Sequence, residues 1–404
     1  MRILVVQESD WLEKGPHQSH HLMERLSQQG HTVRVIDFEI LWRKQKNESL
    51  VSKRQVFEKV HKAIEDGCVT VIRPAIIRLP LLDYLSLAST HRREIRRQIC
   101  EFKPDVVVCF GILNARIALM EASRNDIPTA YYIIDELHRL VPQRMLRGLA
   151  KFIENSNMRD ADLILSINEA LRDYTIQCGA PISKTLVIRA GVDLEGFSTD
   201  YDRLRKVTRQ KYGFLDGDVV LLFMGWLYEF SGLKEIAIQL CKLDRDESRL
   251  KLLIVGEGEL QEVLSRMRDA LGLKDRLILD KWIPYKDVPA LVMSSDICIL
   301  PAYKNDIMRN IVPIKLYEYM AGGKPVISTN LPGILREFGT ANGVIFVEKP
   351  EEVLAKASEL VGTGRLHEEG DRARRFATDN SWDTVTRAFE TALLNLQKVR
   401  FHSD

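Results

Sequence analysis

The chain has 404 residues, 45% hydrophobic and 28% charged, with a formal net charge of +2. That length exceeds one ordinary core and suits two domains of roughly 150–200 residues. The near-neutral balance gives no global signature of nucleic-acid binding. Six cysteines without a CxxC pair exclude the usual zinc and dithiol motifs and fit a reducing compartment.

From the N-terminus, MRILVVQESD is too short in its apolar run and too soon acidic for a signal peptide. The longest apolar region, Val69 to Ala88, is broken by Arg73, Arg78 and Asp83, and no stretch of about 18 uncharged apolar residues predicts a membrane span. The expectation is therefore a cytoplasmic protein. Ile3–Val6 reads as a buried first strand, Ser19–Gln29 as a helix stopped by Gly30, and Val33–Ile36 as a second strand. Asp105–Phe110, Thr129–Ile134, Leu163–Ile167 and Thr185–Ile188 continue the series. The pattern restarts with Val219–Phe223, Leu252–Val255, Leu277–Leu279, Ile297–Leu300 and Pro325–Ile327. Continuous Val/Ile/Leu runs alternating with helical patterns are those of parallel strands covered on both faces. The fold class predicted is α/β, two tandem Rossmann-like doubly wound parallel sheets facing a cleft. Residues 1–197 form the first domain and 198–380 the second. The polar stretch from Ser198 to Asp218 is the predicted linker, and 381–404 is a C-terminal helix packing back on the N-terminal domain.

Ligands of such sheets bind beyond the carboxyl ends of the strands, which makes three strand-to-helix connections candidates. Gly15-Pro16 follows strand one; it reads either as a plain loop or as a close backbone approach to an anion. Val255-Gly256-Glu257-Gly258 reads either as a tight turn or as half of a dinucleotide fingerprint, with Gln261 where the third glycine would stand. The richest is Arg309 to Ile327, RNIVPIKLYEYMAGGKPVI. Pro313 suits a first helical turn, Ile314–Met320 a short helix and Gly322-Gly323 its end. Glu318, about one turn in, could accept two ribose hydroxyls, against the bland alternative of a solvated helix glutamate.

In order along the chain, Gly30-His31-Thr32-Val33, the passage Val187 to Asp193 with Phe197, Trp282-Ile283-Pro284 with Asp296 and Pro301, and LYEYMAGGKPVIST resemble the retaining GT-B glycosyltransferases of the group 1, family four class. The resemblance spans nearly the whole chain. It implies a nucleotide-diphosphate sugar held mainly by the second domain, no divalent metal or other cofactor, and retention at the anomeric carbon. It implies Glu318 as ribose ligand, Gly15 and Pro16 near the β-phosphate, and Gly225, Gly256, Gly258, Trp282, Ile311 and Val312 around the nucleotide. Asn310 takes the place of the first of the family's paired glutamates, eight residues before Glu318. Trp226 and Ser231 stand where the family often has the arginine and lysine that neutralise the diphosphate, and Arg309, Lys315 or Lys234 are candidate substitutes. The family's N-domain histidine is displaced, leaving Asp135 and His138 as acceptor-side candidates.

The implied partners are a nucleotide-sugar donor, with UDP and GDP both open, and a glycan or lipid-linked acceptor. Two basic stretches, His91–Lys103 and Arg139–Lys151, read either as solvated faces or as peripheral membrane contacts at the inner face of the membrane. The competing reading is a non-catalytic nucleotide-sugar-binding or scaffold protein on the same fold. A sugar-nucleotide epimerase lacks an evident acid pair, and a dehydrogenase lacks GxGxxG after either first strand.

Overall fold

The computed structural model describes residues 1–13, 16–40, 42, 49–80, 82–141, 143–197, 201–243, 249–306, 308–309 and 311–401. The chain forms two compact units: Met1–Ala190 with Trp382–Asp404, and Gly191–Ser381.

The first unit runs β1 (Arg2–Gln7), α1 (Gln18–Gln28), β2 (Thr32–Ile36), β3 (Gln55–Val60), β4 (Val69–Arg73), α2 (Leu82–Phe102), β5 (Val106–Phe110), α3 (Leu113–Ser123), β6 (Thr129–Ile133), α4 (Arg147–Asp160), β7 (Leu163–Ser166), α5 (Glu169–Gln177) and β8 (Thr185–Val187). The sheet order is β3-β4-β2-β1-β5-β6-β7-β8. Every pairing is parallel except the edge pair β3–β4. Strands β5 and β6 are buried throughout, as their unbroken apolar runs require. Two apolar layers cover the sheet. One takes in Val385, Phe389 and Leu393 from the C-terminal helix Trp382–Phe401; the other is built from α2, α3 and the inner sides of β1 and β5. The Trp382 ring stacks on His21 of α1, with centroids 4.2 Å apart.

The second unit runs α6 (Tyr201–Lys211), β9 (Val219–Met224), α7 (Leu233–Lys242), β10 (Leu250–Val255), α8 (Gln261–Ala270), β11 (Leu277–Asp280), α9 (Val288–Ser294), β12 (Ile297–Leu300), α10 (Lys315–Ala321), β13 (Val326–Thr329), α11 (Pro332–Phe338), β14 (Val344–Val347), α12 (Val353–Gly362) and α13 (Leu366–Asp379). Its sheet, β11-β10-β9-β12-β13-β14, is parallel throughout. Chain order reverses between β1 and β5 in the first unit and between β9 and β12 in the second, and those reversals mark where a ligand would sit.

The stretch 198–218, expected to be a linker, contains α6 instead. Its polar composition misleads because its arginines are used internally. Arg209 is buried, bonding Asp296 at 3.2 Å and the carbonyls of Leu215 and Asp218, and Arg205 bonds Asp296 at 2.6 Å. Strands β3, β4 and β14 were absent from the sequence expectation. β3 is an exposed edge with polar residues; β4 ends on Arg73 in the apolar region that this arginine interrupts; β14 is the four-residue edge strand of the second sheet.

Candidate functional site

At the reversal in the second unit, β9 ends at Met224 and the chain turns at Gly225, whose φ of +122° is a conformation side chains rarely adopt. Gly256, after β10, has a φ of +147°, and a Cβ there would lie 1.9 Å from the Gly225 carbonyl oxygen. A Cβ on Gly258 would lie 2.6 Å from the Leu227 nitrogen. The two loops are laced together: Gly225 N–H donates to Val255, Leu227 N–H to Glu257, and Leu260 N–H to Leu227. The glycines at 256 and 258 are thus required by the approach of one strand-end loop to its neighbour, which is the tight-turn alternative of the sequence reading.

Helix α10 brings its own side chains to this place. Pro313 and Ile314 precede its first turn, and the chain leaves through Gly322 and then Gly323, at φ +65°. The Lys315 ammonium lies 4.4 Å from the Phe223 ring centroid, and a Cβ on Gly225 would meet it at 2.7 Å. No carboxylate is within ion-pairing distance of Lys315 among the described residues. Burial pulls its pKa down to about 8, while the more distant Glu318 pulls the other way. Glu318, three residues on, is buried, which removes the solvated-glutamate alternative. Burial pushes its carboxyl up to about 7, opposed by Lys315 and by a hydrogen bond with Tyr285. Tyr319, next along the helix, accepts a hydrogen bond at its hydroxyl oxygen from Met224 N–H of β9 at 2.9 Å, which ties α10 to the strand. A cation over a ring and a hydrogen-bonded carboxylate, side by side at a strand end, can together receive an anionic group and a hydroxyl-bearing one.

The other candidates are dispersed. Lys234 is engaged by Glu229 at 3.0 Å. Trp282 is 67% exposed after β11, and Arg309 is exposed, its carbonyl accepting from Gly333. Ile311 and Val312 are half-buried ahead of α10. Asn310 and Gly15 lie outside the described residues. Trp226, Tyr228 and Phe230, alternating after Gly225, form a ring ladder with centroid spacings of 6.3 and 4.8 Å. Tyr285 and Phe223 were not among the sequence candidates. Nothing local marks them, because their roles depend on which residues α10 meets.

In the first unit the corresponding reversal is filled from within. Glu8, following β1, accepts hydrogen bonds from the backbone of Ile112 at 3.1 Å and Asn114 at 2.7 Å, at the start of α3. Burial raises its pKa, and these backbone donors oppose the rise. Beside it, Asp10 and Asp37 hold Arg73, the latter at 2.7 Å. Pro16 precedes α1, where His17 N–H donates to His20 Nδ1 at 3.1 Å. Asp135 lies just past β6; burial, then the neighbouring Glu136, pushes its carboxyl up to about 6. His138 is buried, with Nδ1 2.7 Å from Glu154, and Tyr174 donates to the same carboxylate at 2.7 Å. His138 is accordingly tied to a buried carboxylate, and Asp135 is the more accessible of the pair.

The two basic stretches part company. On α2, Arg92 and Arg96 both bond Glu121, Arg97 bonds Glu101, and Ile95, Ile99 and Phe102 are buried. That stretch is a packed helix in which Arg92, Arg96 and Arg97 are engaged by carboxylates of the same unit.

Comparison with known proteins follows the same division. The family model of glycosyl transferases group 1 matches residues 205–378, and that of glycosyltransferase family 4 matches residues 18–195. The chain is similar to the alpha-D-kanosaminyltransferase of Streptomyces kanamyceticus, 22% identical over 56% of this chain and 58% of that one. It is also similar to the GDP-mannose-dependent alpha-(1-6)-phosphatidylinositol monomannoside mannosyltransferase of Mycolicibacterium smegmatis, 26% identical over 58% of this chain and 62% of that one. The match thus spans less than two thirds of either relative's length. Among solved structures, Anabaena HepE in complex with UDP superimposes with a TM-score of 0.72 at 17% identity, covering 98% of this chain and all of that one. Sucrose-phosphate synthase from Thermosynechococcus elongatus gives 0.72 at 13%, covering 99% and 100%. The fold is the two-domain GT-B arrangement of those proteins.

Proposed function

The chain belongs to the group 1 glycosyltransferases, and from that premise we propose that it moves a sugar from a nucleotide-diphosphate donor to a hydroxyl of a glycan or lipid-linked acceptor, with retention at the anomeric carbon and without a divalent metal. The observation that carries this reading is the Lys315–Glu318 pair beside Gly225 at the end of β9. Lys315 takes over the diphosphate charge that an arginine at Trp226 and a lysine at Ser231 would otherwise meet. A half-buried ammonium without an ion pair gains most from an arriving anion, because the anion restores the charge stabilisation that burial removed. Glu318 accepts the ribose hydroxyls. As the bond to the sugar breaks, negative charge grows on the leaving diphosphate, and a fixed cation there favours the transition state over the ground state. Asp135, past β6, is the acceptor-side group, able to accept the proton of an incoming hydroxyl. The phosphatidylinositol mannoside relative and the UDP-bound structural neighbour support the acceptor and donor classes respectively.

The test is thermal stabilisation of the full chain by UDP-, GDP-, ADP- and dTDP-sugars, in the presence of a chelator and then with magnesium. A ligand at 100 times its dissociation constant stabilises by about 2.7 kcal/mol. The expected result is a shift with one nucleotide that survives chelation and is lost in Lys315→Ala and Glu318→Ala. A second reading, a non-catalytic sugar-nucleotide binder, is favoured by the missing basic residues. It predicts the same shift with neither donor hydrolysis nor transfer. No shift at millimolar concentration with any of the four would sink both.

A further inference from the structure

The second basic stretch differs from α2 in kind. Leu137–Leu140 and Arg144–Leu146 form two short 3-10 turns ahead of α4. Ala150, Glu154, Asn157 and Met158 turn α4 inward. The opposite side is apolar and open to solvent: Met145 is 96% exposed, Phe152 66%, Leu140 63% and Leu149 59%. Large apolar side chains gathered this closely on a surface mark a contact with something apolar. Cations are interleaved with them at Arg139, Arg144, Arg147 and Lys151, and no acidic residue occurs between Leu137 and Ile153. Arg139 has Glu136 as partner at 2.6 Å, and Arg147 donates to the Val141 carbonyl. Arg144 and Lys151 have no ion pair among the described residues. The segment is also seated firmly, since the buried Glu154 carboxylate takes hydrogen bonds from Leu137 N–H, His138 and Tyr174.

We propose that this face, from Leu140 to Phe152, docks the protein on an anionic lipid bilayer, with Met145, Leu149 and Phe152 at the acyl boundary and Arg144, Arg147 and Lys151 among the phosphates. Charge complementarity selects this occupant. A second copy of the chain meeting the same face would set cations against cations, because a two-fold interface pairs a patch with itself. A surface of lipid phosphates offers the opposite charge around an apolar interior. The arrangement lies in the membrane plane and spans nothing: no helix among the described residues is long and apolar enough to cross a bilayer. The inference does not depend on the transfer reaction. It would, however, bring the base of this segment, which begins two residues after Asp135, to the level of a lipid-linked acceptor.

The experiment is sedimentation of the full chain with vesicles of phosphatidylcholine containing phosphatidylglycerol, and with vesicles of phosphatidylcholine alone. Pelleting is expected with the anionic vesicles only, weakened by salt. Each cation near an anionic surface strengthens partitioning about fivefold, so Arg144→Glu combined with Lys151→Glu should weaken binding at least about tenfold. Phe152→Glu should also weaken it, with melting temperatures unchanged in all cases. Arg144→Lys should bind like the parent, and so should Arg93→Glu on α2. Failure of the parent to pellet at low salt overturns the proposal. So does pelleting that these α4 substitutions leave unchanged, or that Arg93→Glu weakens equally. A parent that elutes as a dimer, is split by Phe152→Glu and ignores vesicles would give the face to a second copy instead.

Discussion

The two units are built on the same plan, yet the carboxyl ends of their sheets are finished differently. In the first unit the reversal between β1 and β5 is occupied by the chain itself: Glu8 sits on the backbone donors that open α3, and Arg73 is clamped between Asp10 and Asp37. In the second, the reversal between β9 and β12 is lined by Gly225 and Gly256 and overlooked by Lys315, which has no ion pair among the described residues, and by a buried Glu318. A helix start offers free N–H groups to any anion. In one unit an internal carboxylate has taken that offer, whereas the other holds a cation unsatisfied. A doubly wound sheet therefore supplies the place, and the side chains at the strand ends decide whether it is sealed or left for a ligand.

The sharpest way to break that contrast is to remove the cation. Lys315→Ala should lower kcat/KM by about 10²–10³-fold, corresponding to about 3–4 kcal/mol of leaving-group stabilisation, with the fold intact by circular dichroism. A loss below about threefold would mean that another group carries the diphosphate. The pH profile reads the same pair. Glu318 must be ionised, so kcat/KM should rise through about pH 7; Lys315 must be protonated, so it should fall beyond about pH 8. The expected profile is a narrow bell, and Lys315→Arg should push its alkaline limb upward.

Glu318→Gln separates function from stability. Because its folded pKa of about 7 lies above the ordinary 4.5, the native state holds the proton more tightly than the unfolded chain. Its favourable contribution is present below pH 4.5 and is lost as pH rises through about 7. Removing the ionisable group should therefore stabilise the protein above pH 7, by on the order of 2–3 kcal/mol, while transfer falls. Equal stability of parent and variant at pH 8 would show that the carboxylate is not strained.

Gly256→Ala tests the architecture of the open end. With φ at +147° and a carbonyl oxygen 1.9 Å from the new Cβ, the loops must part, at a cost of about 2–3 kcal/mol in a denaturant melt. The smallest expected effect concerns the sealed end. Glu8→Ala should cost about 1 kcal/mol as α3 loses its carboxylate, and it should make the melting temperature respond to inorganic phosphate. Identical phosphate responses in parent and variant would show that Glu8 does not act as a seal.

Much of this was legible in one dimension. Unbroken Val/Ile/Leu runs disclosed eleven of the strands within a residue or two at their ends, since a strand covered on both faces cannot tolerate polar residues. Gly322-Gly323 disclosed the end of α10, and the LYEYMAGGKPVIST segment placed Glu318 in a cleft-type helix. The two charged helices were misread for one cause. Helix α6 looked like a linker because its arginines find their partner, Asp296, some 90 residues away in the chain. The basic helix α2 looked free because Glu121 lies on another element. Charge read along a sequence shows where ions are, not which of them are already paired.

The sequence by itself determined the class of fold, its two halves and the short helix that carries Lys315 and Glu318, because periodicity and glycine placement are local matters of backbone geometry and burial. Only the tertiary structure decided which cations remain unmatched, why Gly256 admits no side chain, and that a carboxylate seals the first unit. Those depend on the approach of residues distant in the chain, where burial strips water from charges and leaves each to the partners that folding has brought beside it.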